Sequence, residues 1–204
     1  MPMNGPNAVV FDLGGVLVDW DPRHLYRKLF PGDEAAMEDF LGRVCTFAWH
    51  SQLDAGASFE EIILPLKARH PEHVGLIDAY SDRFAEMFAG TIDGTVALLE
   101  RLHENGVPLY ALTNWPAAYP PSRLDYPFFG RFRDVVVSGV EKVCKPDPRI
   151  FRILLDRNGL RAEETVYVDD RQDNTDAAEA LGMRAVRFTS PEALERDLLR
   201  FGLI

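Results

Sequence analysis

Six polar side chains lie at or just past the ends of four apolar runs: Asp12 near the end of Ala8–Leu13, Thr113 and Asn114 after Val107–Leu112, Lys145 a few residues past Asp134–Ser138, and Asp169 and Asp170 after Thr165–Val168. If these runs are neighbouring strands, three carboxylates, a hydroxyl, an amide and one ammonium face a common crevice. Carboxylates gathered out of water repel one another and are expensive without a partner. A hard divalent cation offsets that repulsion, and Lys145 supplies further positive charge. Mg²⁺ takes one or two carboxylates together with waters and substrate phosphate oxygens, so the set predicts chemistry on a phosphate ester. In such chemistry an Asp carboxylate serves as nucleophile and forms an aspartyl-phosphate. Lys145, Thr113 and the N–H groups of the Gly14-Gly15 turn are placed to stabilise the spread charge of the transferring group.

Taken singly, these residues have ordinary readings. Asp12 reads as a turn residue, Asp169-Asp170 as a pair capping the next helix, Thr113-Asn114 as common residues after a strand, and Lys145 as a surface lysine. Their weight comes from the elements that must position them. The runs at Ala8–Leu13, Val107–Leu112, Asp134–Ser138 and Thr165–Val168 are nearly continuously apolar, as strands buried on both faces are, and Arg184–Phe188 adds a fifth. Helical patterns separate them. Thr95–Glu104 carries Val96, Leu98, Leu99 and Leu102 and stops at Asn105-Gly106. Pro148–Asn158 begins on Pro and stops at Gly159, and Asp173–Leu181 stops at Gly182. Strand and helix in alternation predict a doubly wound α/β fold, whose ligands bind beyond the carboxyl ends of the strands.

The stretch from Asp21 to Gly90 breaks the alternation. It reads as helical throughout, with interruptions at Pro31-Gly32, Ala55-Gly56-Ala57 and His70-Pro71, far more than one crossover requires. Three or four inserted helices over the crevice are expected. Near the chain's end, Glu192–Arg200 reads as a docking helix with Leu194, Leu198 and Leu199 inward.

With 204 residues, 47% apolar, the chain can bury a real core. Its 22 basic and 32 acidic residues leave a charge of −10, which excludes general attraction to nucleic acid or anionic membranes. No apolar run is long enough to span a bilayer. Met1–Asn7 has neither the basic nor the apolar part of a signal peptide. Cys45 and Cys144 form no zinc or disulfide pattern. A cytoplasmic protein, monomer or homodimer, acting on a small phosphorylated substrate is the expectation.

The ordered motifs Phe11-Asp12-Leu13-Gly14-Gly15-Val16-Leu17, Thr113-Asn114, Lys145-Pro146-Asp147 and Asp169-Asp170-Arg171-Gln172-Asp173-Asn174 resemble motifs I to IV of the haloacid dehalogenase-like (HAD) superfamily, and the likeness runs along nearly the whole chain. It implies a Rossmann-like core from residues 1–20 and 91–204 and a helical cap of the C1 subclass from residues 21–90. The first motif is most similar to those of small bacterial sugar-phosphate phosphatases, which implies an Mg²⁺-dependent phosphatase, plausibly of a sugar phosphate. Carried onto this sequence, Asp12 is nucleophile and metal ligand, the Gly14 carbonyl a second ligand and Asp170 a third. Asp169 stands beside the metal, directly or through water. Asn174 reaches back toward Asp170 to orient it. Thr113 and Asn114 hold phosphate oxygens, and Lys145 pairs with phosphate and Asp12.

One position departs from the pattern. Phosphatases of the superfamily usually carry a second Asp two residues after the nucleophile, which protonates the leaving group and then activates water. Here Gly14 occupies that place. Asp19, Asp21, His24, His50 and Asp54 are the substitutes within reach of the insertion. Trp20, Trp49 and Trp115 are expected to pack in the core or the insertion, with walling of the site a second reading for Trp20 and Trp115, which follow motifs I and II closely. Three other readings compete. A 2-haloacid dehalogenase also lacks the second Asp, but lacks paired carboxylates in motif IV as well. A phosphonate hydrolase needs a Schiff-base lysine from the insertion, where only Lys28 and Lys67 are available. A non-catalytic module that merely binds a phosphometabolite would tolerate Gly14.

Overall fold

The computed structural model describes residues 5–204, so the reading of Met1–Asn7 falls mostly outside it. In chain order the elements are β1 (Ala8–Phe11), β2 (Val18–Trp20), α1 (Arg23–Leu29), α2 (Glu34–Arg43), α3 (Phe47–Asp54), α4 (Phe59–Arg69), α5 (Val74–Asp82), β3 (Phe88–Thr91) and α6 (Asp93–Glu104). They continue with β4 (Leu109–Thr113), β5 (Asp134–Val137), α7 (Ser138–Glu141), α8 (Pro148–Asn158), β6 (Thr165–Asp169), α9 (Gln172–Ala180), β7 (Arg184–Arg187) and α10 (Pro191–Phe201).

Five strands form a wholly parallel sheet in the order β5-β4-β1-β6-β7. Strand β1 is central because all four of its residues are apolar and buried on both faces. Alternation along it separates two cores. Val9 and Phe11 pack on one face with Leu99, Val166 and Val168. Ala8 and Val10 pack on the other with Tyr110, Phe151 and Tyr167. The chain runs from β1 to β4 and β5 on one side, then crosses to β6 and β7 on the other. That reversal opens a crevice beyond the carboxyl ends of β1, β4 and β6.

The insertion has a third core of its own, built on Tyr26, Phe40, Trp49, Leu53, Ile77 and Tyr80. Its helices begin where the sequence offers caps: Asp33, Thr46 and Ser58 each accept a backbone N–H, and Ser58 with Glu61 completes a capping box. The stretch is not helical to its end. Phe88–Thr91 is a strand, and it pairs antiparallel with Val18–Trp20. The chain therefore leaves and re-enters the sheet layer through a two-stranded ribbon. Three- and four-residue strands are too short to show a period, which is why the sequence hid them. In α10, Leu194 and Leu198 are buried as expected, but Leu199 is 53% exposed. It lies one residue beyond the i, i+4 stripe that faces the core. Among the described residues, no helix is long and apolar enough to cross a membrane.

Candidate active site

The end of β1 is tied to the end of β6 by the Asp12 backbone N–H, which donates to the Val168 carbonyl at 2.8 Å. The Asp12 side chain then turns into the crevice, only 7% exposed. Leu13 N–H donates to its Oδ1 at 2.7 Å, and Lys145 Nζ lies 2.9 Å from its Oδ2. The chain turns back at once through Gly15, which has φ +73°. A Cβ there would stand 2.9 Å from Asp170 Oδ2. Only glycine therefore fits both the left-handed turn and the carboxylate lying over it.

Lys145 is the hub of the site. Its buried ammonium donates to the Leu112 carbonyl at 2.9 Å and to Asp169 Oδ2 at 2.7 Å, besides meeting Asp12. Burial opposes its charge, yet Asp12 and Asp169 outweigh that and raise its pKa. The backbone of Lys145 is held by Asn114, whose Nδ2 donates to the Lys145 carbonyl at 3.0 Å and whose Oδ1 accepts from the Lys145 N–H at 2.8 Å. The Asn114 carboxamide thus fixes the lysine loop while the residue lines the crevice beside Thr113. Thr113 is buried beside it, its hydroxyl held only by a long 3.5 Å contact to the Asn114 carbonyl, and it lines the crevice.

The two motif IV carboxylates differ sharply. Asp169 is fully buried and its oxygens are taken. Oδ2 meets Lys145 and accepts the Tyr167 hydroxyl proton, and Oδ1 accepts from Arg171 N–H at 2.9 Å. Asn174 Nδ2 donates to both oxygens at 3.0 and 3.1 Å. Burial works against its ionisation, but Lys145, Tyr167 and the Arg171 N–H overcome it and hold Asp169 below the usual carboxylate range. Asp170 stays open to solvent and lines the crevice, and no side chain donates to it. One expectation changes accordingly: Asn174 orients Asp169, not Asp170. Asp169 holds Lys145 as well as standing beside Asp12 and Asp170. Tyr167, which the sequence reading passed over, stands two residues before Asp169 and so on the same strand face. That spacing was the available signal.

Oxygens of Asp12, Asp169 and Asp170 lie within 4.8 Å of one another. Burial, with the charges of Asp169 and Asp170 beside it, raises Asp12 to about 7 against the pull of Lys145. Asn174 Oδ1 is buried with no hydrogen-bond partner among the described residues. Carboxylates short of positive charge and an orphaned acceptor at the same crevice fit a hydrated divalent cation: Asp12, Asp170 and the Gly14 carbonyl as ligands, Asp169 beside it directly or through water, and Asn174 Oδ1 as acceptor for a metal-bound water.

The insertion closes the crevice into a cavity of about 260 Å³. Its aromatic walls are Trp20, Phe47, Phe84, Phe88 and Trp115. Of the five candidate acids and bases, His50 and Asp54 line it and the others do not. His24 Nε2 pairs with Asp19 at 3.0 Å outside the cavity, and Asp21 accepts from the Arg23 N–H at 2.8 Å. Trp20 and Trp115 wall the site, the second of the two readings for them, though Trp115 also packs in the sheet's core, while Trp49 packs in the insertion's core and donates to the Ile62 carbonyl at 3.2 Å. Lys28 and Lys67 sit in ion pairs with Glu86 and Asp78, outside the cavity. No lysine of the insertion reaches the site, which removes the basis for a phosphonate hydrolase.

A family model of haloacid dehalogenase-like hydrolases matches residues 6–182. A sesquiterpene phosphatase of Aspergillus oryzae is 28% identical over 197 residues, covering 94% of this chain and 94% of its own. Phosphoglycolate phosphatase 1 of Pseudomonas aeruginosa is 27% identical, covering 90% of this chain and 70% of its own. A HAD family enzyme of Bacteroides thetaiotaomicron, solved with magnesium and inorganic phosphate, has a TM-score of 0.67 at 20% identity, covering 91% of this chain and 96% of that one. At that identity the likeness is one of fold.

Proposed function

The chain belongs to the haloacid dehalogenase-like hydrolases, and on that premise we propose that it is an Mg²⁺-dependent phosphatase working through an aspartyl-phosphate on Asp12. The observation that carries this reading is the Asp12 carboxylate at the cavity floor, paired with Lys145 at 2.9 Å and flanked by the open Asp170. Asp12 attacks phosphorus, and the ester oxygen leaves. Lys145 and the Thr113 hydroxyl hold the phosphoryl oxygens as their charge shifts. Bound Mg²⁺ supplies neutralisation of the phosphate and of the Asp12–Asp170 pair. The helices between Trp20 and Phe88 act as the cap that keeps bulk water out. A 2-haloacid dehalogenase needs no second free carboxylate, and Asp170 speaks against it.

The aromatic walls bear on the substrate. Trp20, Phe47, Phe84, Phe88, Trp115 and Pro116 make the larger part of the wall above Asp12, with His50, Ser51 and Arg171 a polar minority, so most of a sugar's hydroxyls would face rings that cannot pair them. The reading therefore moves from a sugar phosphate to a monoester with an apolar organic group, in keeping with the similarity to a sesquiterpene phosphatase. Phenyl, hexyl and farnesyl phosphates, assayed beside sugar phosphates with Mg²⁺ and with EDTA, test both parts. The expected result is hydrolysis only with Mg²⁺, with kcat/KM for the apolar esters about tenfold or more above the sugar esters. Hydrolysis that persists in EDTA, or no hydrolysis of any ester, defeats the phosphatase reading. A preference for sugar esters defeats the substrate class alone.

Two further results are expected. Asp170→Ala should lose Mg²⁺ affinity with little change in melting temperature. Asp169→Ala should melt well below wild type, since it breaks a buried ion pair with Lys145 and leaves the Tyr167 hydroxyl, the Arg171 N–H and Asn174 Nδ2 without their acceptor, at a cost of about 3–5 kcal/mol. Calorimetric Mg²⁺ titration and thermal melts of the two variants separate these effects. Protons also compete with Mg²⁺ for Asp12. With Asp12 at about 7, affinity should climb as pH rises from 5.5 to 7 and level off above. A flat profile would mean that Asp12 is ionised throughout that range.

A further inference from the structure

The phosphatase reading leaves a proton unassigned. An alkoxide leaving group needs an acid, the attacking water needs a base, and Gly14 offers neither. A Cβ at Gly14 would meet nothing within 4 Å, so that flank of Asp12 is open space, reachable from the insertion above. Of the insertion's carboxyl groups, only Asp54 lines the cavity.

Asp54 ends α3, only 5% exposed, and its Oδ1 is shut off from solvent with no hydrogen-bond partner among the described residues. A buried carboxyl oxygen with nothing donating to it is unfavourable and needs a reason. Its neighbour is His50, one turn earlier on the same helix face, with Nε2 3.5 Å from Asp54 Oδ1. The other ring nitrogen, Nδ1, lies 2.7 Å from the buried Tyr80 hydroxyl. Burial and the nearby Cys45 and Asp54 groups push that phenol far above its ordinary range, so it stays protonated and able to donate. A neutral ring that accepts the Tyr80 proton at Nδ1 carries its own on Nε2, facing Asp54. Trp20 covers the ring at 4.8 Å.

The end of α3 is also fastened to the sheet layer. Ser138 Oγ donates to the Asp54 carbonyl at 2.7 Å and accepts from the Trp115 N–H at 3.0 Å. Gly139 lies so close that a Cβ there would stand 2.7 Å from the Trp115 carbonyl and 3.2 Å from the Leu53 carbonyl. Asp54 is thus held at a fixed height over the sheet, although it belongs to the insertion.

We propose that Asp54 is the general acid and base of this enzyme, taking the place left empty at Gly14, with His50 and Tyr80 as positioning residues. In the first step an Asp12 oxygen bonds to phosphorus, the bond from phosphorus to the ester oxygen breaks, and protonated Asp54 gives its proton to that oxygen, releasing the alcohol. In the second, the Asp54 carboxylate takes a proton from water as the water oxygen bonds to phosphorus. The Asp12–phosphorus bond breaks, and inorganic phosphate leaves with both carboxyl groups restored.

The test is leaving-group dependence. Nitrophenolate departs without full protonation, whereas an alkoxide does not. Asp54→Asn should lower kcat/KM, which reports the first step alone, for hexyl phosphate by about 10²–10⁴-fold and that for p-nitrophenyl phosphate by far less, whereas the second step is common to both esters. His50→Gln should skew the two substrates in the same sense, and it decides the matter if Asp54→Asn does not fold. A merely structural role would depress both substrates alike. Equal loss on both, or no loss on either, overturns the proposal. The inference rests on the phosphatase reading, and the two fail differently. A wild-type protein that hydrolyses neither ester sinks both, while one that hydrolyses both esters but gives an Asp54→Asn variant with equal losses sinks this inference alone.

Discussion

Asp12→Asn should abolish turnover, by on the order of 10⁴–10⁶-fold, while the protein keeps its fold. The amide is nearly isosteric, but it is a poor nucleophile and a weak metal ligand. The stability of this variant carries a second signature. Asp12 titrates near 7 in the folded, metal-free chain, against 3.8 ordinarily, so folding favours its protonated form. Its contribution to stability is complete below about 4 and is lost as pH rises through 7. In EDTA, wild type should lose melting temperature between pH 5 and 8, and Asp12→Asn should lose less over the same span. Activity that survives the substitution would remove Asp12 as the nucleophile, and parallel pH curves would remove it as the strained acid.

Much of this site was legible because parallel sheets advertise themselves. The runs ending at Phe11, Thr113, Val137 and Asp169 are apolar on both faces, and a doubly wound topology must bring their carboxyl ends together. Their contents, Asp12, Thr113, Lys145 and Asp170, follow from topology alone, and so does the cavity they line. What remained hidden depends on direction rather than position. Asn174 stands four residues from Asp170 and five from Asp169, and one-dimensional spacing favours the nearer. The side chain instead finds Asp169, which is buried and needs a donor, whereas Asp170 has water. Nor does spacing show that Asn114 fixes the lysine loop. The ribbon of Val18–Trp20 and Phe88–Thr91 is too short to carry a period. Narrowing five candidate acids to His50 and Asp54 required the insertion's tertiary packing, which no local pattern encodes.

Lys145→Met should be the most damaging change in the buried part of the site. The side chains are similar in length, so packing is nearly kept while the charge is lost. Asp12 and Asp169 then face each other with no cation between them, and the Leu112 carbonyl loses its donor. Stranding buried charge in this way costs about 3–5 kcal/mol, a large part of a typical domain's stability. Turnover should fall with it, because Lys145 both steadies the nucleophile and meets the phosphoryl charge. The electrostatic origin of the loss is open to measurement. Without the ammonium both carboxyls become harder to ionise, so their folded-state pKa values rise. The variant's deficit should therefore be small near pH 5, where they can protonate, and grow as pH rises to 8. Mg²⁺ should narrow the gap at pH 8, since it supplies positive charge to Asp12 from the cavity side. A deficit of equal size at pH 5 and 8, and indifferent to Mg²⁺, would mean that Lys145 contributes packing alone, and that the Asp12–Lys145–Asp169 arrangement is not held together by charge.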